Sequence, residues 1–192
     1  LVIYHLNVKI GSKMKGQSAN AKYNYIMREG KYSASKKELL HQNFGNLPQF
    51  AENNPQLFWQ SADDYERLNG RLFTQIEFAL PRELSTEQII ELAKTFAEKV
   101  CSQNTYKLPY SLAIHSGEYD HAGNKIKEER TPHCHLIFSS RSIDDFNRTA
   151  EHHFSRANKK EREKGGAWRE EAIRSKDWLR DTRKLWADTA ND

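Results

Sequence analysis

Apolar and polar residues alternate along 2–10 and again along 72–80, the two-residue period of a strand with one buried face. In the second stretch Leu72, Ile76, Phe78 and Leu80 share one face, Gln75 and Glu77 the other, and Pro81 ends the run, so Glu77 is expected to face away from the core. Two further stretches read as strands. Tyr110-Ser111-Leu112-Ala113-Ile114-His115 puts Leu112 and Ile114 on one side and Ser111, Ala113 and His115 on the other, and 131–138 is almost wholly apolar apart from its histidines. Between these two the pattern predicts an exposed hairpin over 117–130, with a turn-like Asp120-His121-Ala122-Gly123-Asn124.

Helical periods fall elsewhere. A Gly/Ser/Lys loop over 11–17 leads to Ser18, a good N-cap, and to helix formers over 19–29 that Gly30 should stop. Ser85-Thr86-Glu87-Gln88 is a capping box, and behind it Ile89, Leu92, Ala93, Phe96 and Val100 form an apolar stripe fit to cover a sheet. A last helix over 175–189 should bury Trp178, Leu179, Thr182, Leu185 and Trp186. The stretch 31–57, polar and carrying Pro48 and Pro55, is expected to be irregular or lightly helical. The region after Ser140 is expected to be helical, polar and broken at Gly165-Gly166. Strands at hairpin spacing interspersed with helices predict an α+β fold, a central antiparallel β-sheet flanked by helices.

The 192 residues suit one domain, 1–192, with a substantial core. No apolar run approaches about 18 residues, so no transmembrane helix is expected. The N-terminus reads as a strand rather than as a charged segment followed by an apolar one. Cys101 and Cys134 give no disulfide framework, which suits a reducing cytoplasm. Net charge is only +4, but Lys9, Lys13, Lys15, Lys22, Arg28, Lys31, Lys36 and Lys37 face just Glu29 and Glu38 within residues 1–40, whereas 141–192 mixes both signs almost evenly. Such a basic segment suits phosphate, although charge alone is more often solvated surface. No Walker loop, dinucleotide fingerprint or internal repeat is present.

The candidate chemistry lies in Pro132-His133-Cys134-His135. On a strand His133 and His135 share a face about 6.6 Å apart along the backbone, while Cys134, Leu136 and Phe138 point the other way. If this strand pairs with the one ending at His115, three imidazoles converge, and neutral imidazole is a common metal ligand. A cation held there could draw charge from a phosphate's non-bridging oxygens and open its phosphorus to attack. The first helix offers Tyr23 and Tyr25 as nucleophiles. A phenol titrates near ~10, so ionising one at neutral pH costs about 4 kcal/mol, and Lys22, Arg28 and the cation would have to supply that stabilisation. Spacing does not choose between the tyrosines, Tyr32 included. Two other classes fit the same residues: a three-histidine zinc hydrolase working through metal-bound hydroxide, and a non-catalytic DNA-binding module with structural histidines.

Taken together, Tyr4-His5-Leu6, Gly16-Gln17-Ser18-Ala19, Tyr25-Ile26, Arg28-Glu29-Gly30-Lys31-Tyr32, Asn69-Gly70-Arg71-Leu72-Phe73, Glu77-Phe78-Ala79-Leu80-Pro81, Leu108-Pro109-Tyr110, Ala113-Ile114-His115, Pro132-His133-Cys134-His135-Leu136, Lys164-Gly165-Gly166 and Trp178-Leu179 resemble, in that order, the MobA/MobL-type plasmid mobilization relaxases of the HUH endonuclease superfamily. The resemblance implies an HUH relaxase, or palm-like, fold and a site- and strand-specific DNA endonuclease that nicks plasmid DNA at the origin of transfer in conjugative mobilization. It assigns Tyr25 as the nucleophile, which would leave a 3′-hydroxyl and a 5′-phosphotyrosine intermediate that can be religated. His115, His133 and His135 would bind the divalent metal, with Glu77 orienting one of them through a hydrogen bond. Relaxases place the tyrosine before the histidines, as here. Two departures stand out: Gln75 occupies a position where many relatives carry an acidic residue, and the 117–130 loop is longer than theirs.

Imidazole-rich sites favour zinc or nickel on ligand grounds, whereas this family works with magnesium or manganese, which take their remaining oxygens from phosphate and water. The partners implied are transfer-origin DNA as a hairpin plus adjoining single strand, accessory mobilization proteins and a type IV secretion coupling protein. Lys13, Lys15, Lys22, Arg28 and Arg71 are candidates for DNA contacts. The resemblance also implies a bacterial cytoplasmic protein carried to the recipient with the strand. It further implies the N-terminal part of a longer polypeptide, to which the start at Leu1 and the end at Asp192 are expected to correspond.

Overall fold

The computed structural model describes residues 5–120, 122–127 and 131–192. Five antiparallel strands, β1 (Leu6–Ser12), β2 (Leu39–Gly45), β3 (Arg71–Ala79), β4 (Tyr110–His115) and β5 (His133–Phe138), form one sheet in the order β1-β3-β5-β4-β2. The three inner strands are buried on both faces, which is why 110–115 and 133–138 read as nearly continuous apolar runs. β1 begins at Leu6 and runs on to Ser12, two residues into the expected loop, and the part of the predicted strand over 2–4 lies outside the described residues.

Each face of the sheet carries its own core. Leu112, Ile114, Cys134, Leu136, Ile76 and Phe78 pack against α3 (Thr86–Cys101) and α5 (Lys176–Asn191), with Phe96 and Trp186 filling the centre. The capping box at Ser85 is formed in both directions, and Ser175 caps α5, whose Trp178, Leu179 and Leu185 are half-buried rather than buried. Opposite them, Ala113, Ile137 and Phe73 meet α1 (Ala19–Met27), α2 (Pro55–Tyr65) and Phe154 of α4 (Ala150–Phe154). Leu72 joins this second core beside Phe73, against the face expected from strict alternation, next to the bulge where β1 shifts register at Gly11/Ser12.

The irregular stretch expected over 31–57 contains β2 and the start of α2. β2 is an edge strand with one face wet, so its sequence Leu-Leu-His-Gln-Asn-Phe-Gly carries little apolar signal. For α2 the signal was present: Asn54 accepts from Leu57 N as N-cap and Pro55 takes the first helical position, where a proline belongs. After Ser140 the expected helices reduce to α4 and short 3-10 turns. That stretch is held instead by buried Arg141, which forms a two-contact ion pair with Glu66 and donates to the carbonyls of His153, Phe154, Ser155 and Ala167. A guanidinium satisfies those carbonyls without helical turns.

Candidate active site

Pairing of β4 with β5 sets His115 directly across from His133, and Ala113 across from His135. The three imidazoles therefore converge. Their ring centroids lie 4.7–5.3 Å apart, and one nitrogen from each lies within 4.8 Å of the others. Across β5, β3 places Glu77 opposite His135, with its carboxylate 3.7 Å from Nδ1. Gln75, on the same face, brings its amide nitrogen to 3.1 Å from that Nδ1.

The hydrogen bonds around the rings decide which nitrogens remain for a cation. His133 Nδ1–H donates to Thr131 O at 3.1 Å, leaving Nε2. His115 Nε2–H donates to Ile26 O at 2.7 Å, leaving Nδ1, which accepts from Arg28 Nη2 at 3.2 Å. Gln75 Oε1 is buried without a hydrogen-bond partner among the described residues. With that oxygen rather than the amide nitrogen turned to His135, Nδ1–H gains an acceptor and Nε2 becomes the free donor atom. Burial holds His115 neutral, its pKa lowered to about 3 with the Arg28 charge as second cause, and burial likewise sets His135 well below the ordinary imidazole range. Three imidazoles, with His115 and His135 held neutral by burial, fit a divalent cation on donor chemistry. At His115 the ion would compete with Arg28 for the lone pair.

α1 brings the tyrosine. Ser18 caps it through Ala21 N, while the Asp63 carboxylate on α2 accepts from Ala19 N and Asn20 N, fixing the helix entry. The helix ends one turn past Tyr25 at Arg28, which adopts the left-handed conformation with φ 53° two residues before the expected Gly30, itself left-handed at φ 57°. This bend turns the guanidinium back under the helix. There it meets Tyr25 O at 2.8 Å, the Glu38 carboxylate at 2.7 Å and the Tyr25 ring, 4.7 Å from its centroid. Lys22 Nζ lies 5.3 Å from the same ring, its ammonium pKa lowered by burial first and by neighbouring Lys9 second. Tyr25 packs edge-on against His135 with ring centroids 6.3 Å apart. A cleft of about 280 Å³ opens over these groups, lined among others by Lys9, Lys22, Tyr25, Glu77, His133 and His135.

The geometry separates the tyrosines. Tyr23 is buried in the α1/α2 core, which pushes its hydroxyl up to about 12, and Tyr32 meets Tyr25 edge-on at 5.2 Å without lining the cleft. Among the candidate DNA contacts, Lys22 and Arg28 line the cleft, but Arg28 is buried and paired with Glu38. Lys13 spends its ammonium on Glu66 O, Lys15 is exposed, and Arg71 lines a separate groove with Ile173 and Trp178.

Glu38 and Tyr119 were not expected at the site. Tyr119 belongs to the 117–130 loop, which does not stand free over its described part: Lys37 stacks on Tyr119 at 4.2 Å, and left-handed Gly123 lies against Ala34 O where a Cβ would collide. His121 and residues 128–130 of the predicted hairpin lie outside the described residues. Glu38 precedes β2, and its charge beside Lys37 was the available signal.

The chain is 47% identical over 191 residues to mobilization protein A of Escherichia coli, covering 100% of this chain and 25% of that protein. It is 42% identical over 159 residues to a 43 kDa relaxation protein of Salmonella typhimurium, covering 82% of this chain and 40% of the relative. It thus spans between a quarter and two fifths of the length of these relatives. A solved structure reported as a molecular basis of vancomycin resistance transfer in Staphylococcus aureus superimposes with a TM-score of 0.67 at 28% identity, covering 99% of this chain and 91% of the other. Residues 6–192 match the MobA/MobL family model, and the chain belongs to that family.

Proposed function

We propose that this chain is the DNA-nicking part of a mobilization relaxase, a metal-dependent endonuclease and transesterase that cuts one strand of plasmid DNA at its origin of transfer and rejoins it. The observation that carries this reading is the cleft shared by Tyr25, Lys22, His133 and His135, with buried His115 completing the imidazole cluster behind it. His115, His133 and His135 would hold the ion, which when bound supplies charge withdrawal from the scissile phosphate, with manganese or magnesium completing its coordination through phosphate and water oxygens.

This chain's own residues do the rest. The Tyr25 phenolic oxygen bonds to phosphorus as the P–O3′ bond breaks, the departing 3′-oxygen takes up a proton, and the 5′ end stays on the protein as a phosphotyrosine. The reverse transfer religates the strand. Lys22 and Arg28 flank the tyrosine ring with positive charge where a phosphodiester must lie, and Gln75 and Glu77 hold the His135 ring at the angle the cluster needs. Partners on this reading are transfer-origin DNA, accessory mobilization proteins and a type IV secretion coupling protein, met in a bacterial cytoplasm. Among the described residues no helix is long and apolar enough to cross a membrane.

The test is incubation with a labelled single-stranded oligonucleotide from the transfer origin and manganese, followed by a denaturing gel. The expected result is a band shifted by the mass of the protein, absent with Tyr25→Phe and with His133→Ala. Cleavage by Tyr25→Phe without an adduct would mean metal-hydroxide hydrolysis instead, and no cleavage with any divalent ion would leave a DNA-binding module.

A further inference from the structure

A second and larger cleft, of about 510 Å³, opens at the other end of the sheet, past the C-terminus of α2 and the last residue of β5. Its floor is rigid, made by Phe154 and by Arg141 locked to Glu66. Its rim is different in kind. Tyr65 stands exposed at the end of α2, and half-exposed Trp168 presents its ring with Lys159 Nζ 6.0 Å and Arg162 Cζ 5.5 Å from the centroid. Arg67, Arg156 and Lys159 on this rim have no carboxylate partner among the described residues.

The near-even charge of the C-terminal part, taken as an ordinary solvated surface, is not even locally. Between 155 and 169 six Lys and Arg stand against two Glu, and three of them, Arg156, Lys159 and Arg169, line this cleft with Arg67, against Glu171, which is paired with Arg174. Aromatic faces with interleaved unpaired cations are what an unstacked base and its phosphate require.

We infer that this cleft binds a nucleotide of single-stranded DNA, the base stacking between Trp168 and Tyr65 and its phosphates meeting Arg67, Arg156 and Lys159. The inference rests on the nicking reading for the identity of the strand. β5, which runs from the histidines to the cleft, is about 20 Å long. That is the reach of about six nucleotides at the 3.4 Å spacing of a stacked strand, and of fewer if the strand is extended. The cleft therefore holds the strand a few nucleotides from the scissile phosphate, on the same sheet face as the tyrosine. It gives grip without reading sequence, since every base has a face to stack.

The experiment measures equilibrium binding of the full chain to oligo-dT of roughly three and roughly 16 nucleotides, the shorter too brief to span from the histidines to this cleft. Wild type should bind the longer strand more tightly. Trp168→Ala and the double variant Arg156→Glu/Lys159→Glu should each weaken the long strand about five-fold or more while leaving the short one unchanged. Trp168→Phe should keep most of the affinity. The charge reversal lies on exposed side chains, so it tests the cleft even if Trp168→Ala folds poorly, and it should lower the slope of log affinity against log salt by about two or more. Equal binding of long strand by wild type and the double variant would overturn the inference, as would duplex of the same length competing as well as single strand. The adduct assay keeps the two readings apart: an adduct with no cleft effect rejects this site alone, and a cleft effect with no adduct rejects the nicking reading alone.

Discussion

At the scale of single residues, the site is as much a matter of what holds the rings as of the rings themselves. Gln75 is the informative case. It is buried, and one end of its amide faces His135 Nδ1 at 3.1 Å while its oxygen lacks a partner among the described residues. A neutral acceptor fixes the tautomer of His135 without adding charge, which leaves Glu77, 3.7 Å away and partly wet, as the one carboxylate across from that ring. Gln75→Leu is expected to weaken divalent-cation binding at least about ten-fold, and Gln75→Glu to tighten it, both read by calorimetric titration with manganese. An unchanged affinity in Gln75→Leu would remove Gln75 from the support of the site.

At the scale of elements, the far end of the molecule depends on a buried ion pair. Glu66, one residue past α2, meets Arg141 at 2.8 Å and Arg169 at 2.5 Å, so it ties α2 to the stretch after β5 and, through Arg141's bonds to the carbonyls of His153 and Phe154, to α4. Removing one partner leaves a buried guanidinium uncompensated, and Glu66→Ala should cost about 3–5 kcal/mol in denaturant unfolding, with Glu66→Gln milder because it still accepts hydrogen bonds. Nothing in a linear reading joins positions 66 and 141. What could be read in advance was whatever a local period or cap encodes: β3, β4, β5, the capping box of α3, and the convergence of three histidines once two strands pair. β2 was missed because an edge strand carries little apolar pattern, whereas α5 formed as expected and the helix expected between Ser140 and α5 shrank to α4 and short turns because a guanidinium, invisible to periodicity, satisfies those carbonyls. Selection of Tyr25 over Tyr23 came from family resemblance, and what the structure adds is that Tyr23 is buried in the α1/α2 core while Tyr25 lines the cleft.

At the scale of the whole molecule, three histidines are buried in the neutral form. His115 and His153 are lowered to about 3 and His135 well below its ordinary value, burial being the first cause in each, with the Arg141 and Arg148 charges adding to it at His153. His153 sits among Phe50, Phe58 and Phe154 with Nε2 lacking a partner among the described residues. A depressed folded pKa means that the unfolded chain takes up the proton first. Stability is therefore complete above about pH 6.5 and falls as pH drops toward 3, by up to about 4 kcal/mol per pH unit for three such groups. Unfolding free energy measured without added metal should decline steeply from pH 6.5 to 5, and His153→Phe should remove about a third of that slope. A flat profile would contradict neutral burial of these rings.

One contact gives the chain a division of labour. The carbonyl of Ile26, next in sequence to Tyr25, is bonded to the His115 ring. On the nicking reading, this 2.7 Å link ties the backbone beside the attacking tyrosine directly to a ring that would hold the cation. On the same reading, loss of folded protein through damage at the buried Glu66–Arg141 pair would lower the amplitude of the burst in a single round of cleavage and leave its time constant alone.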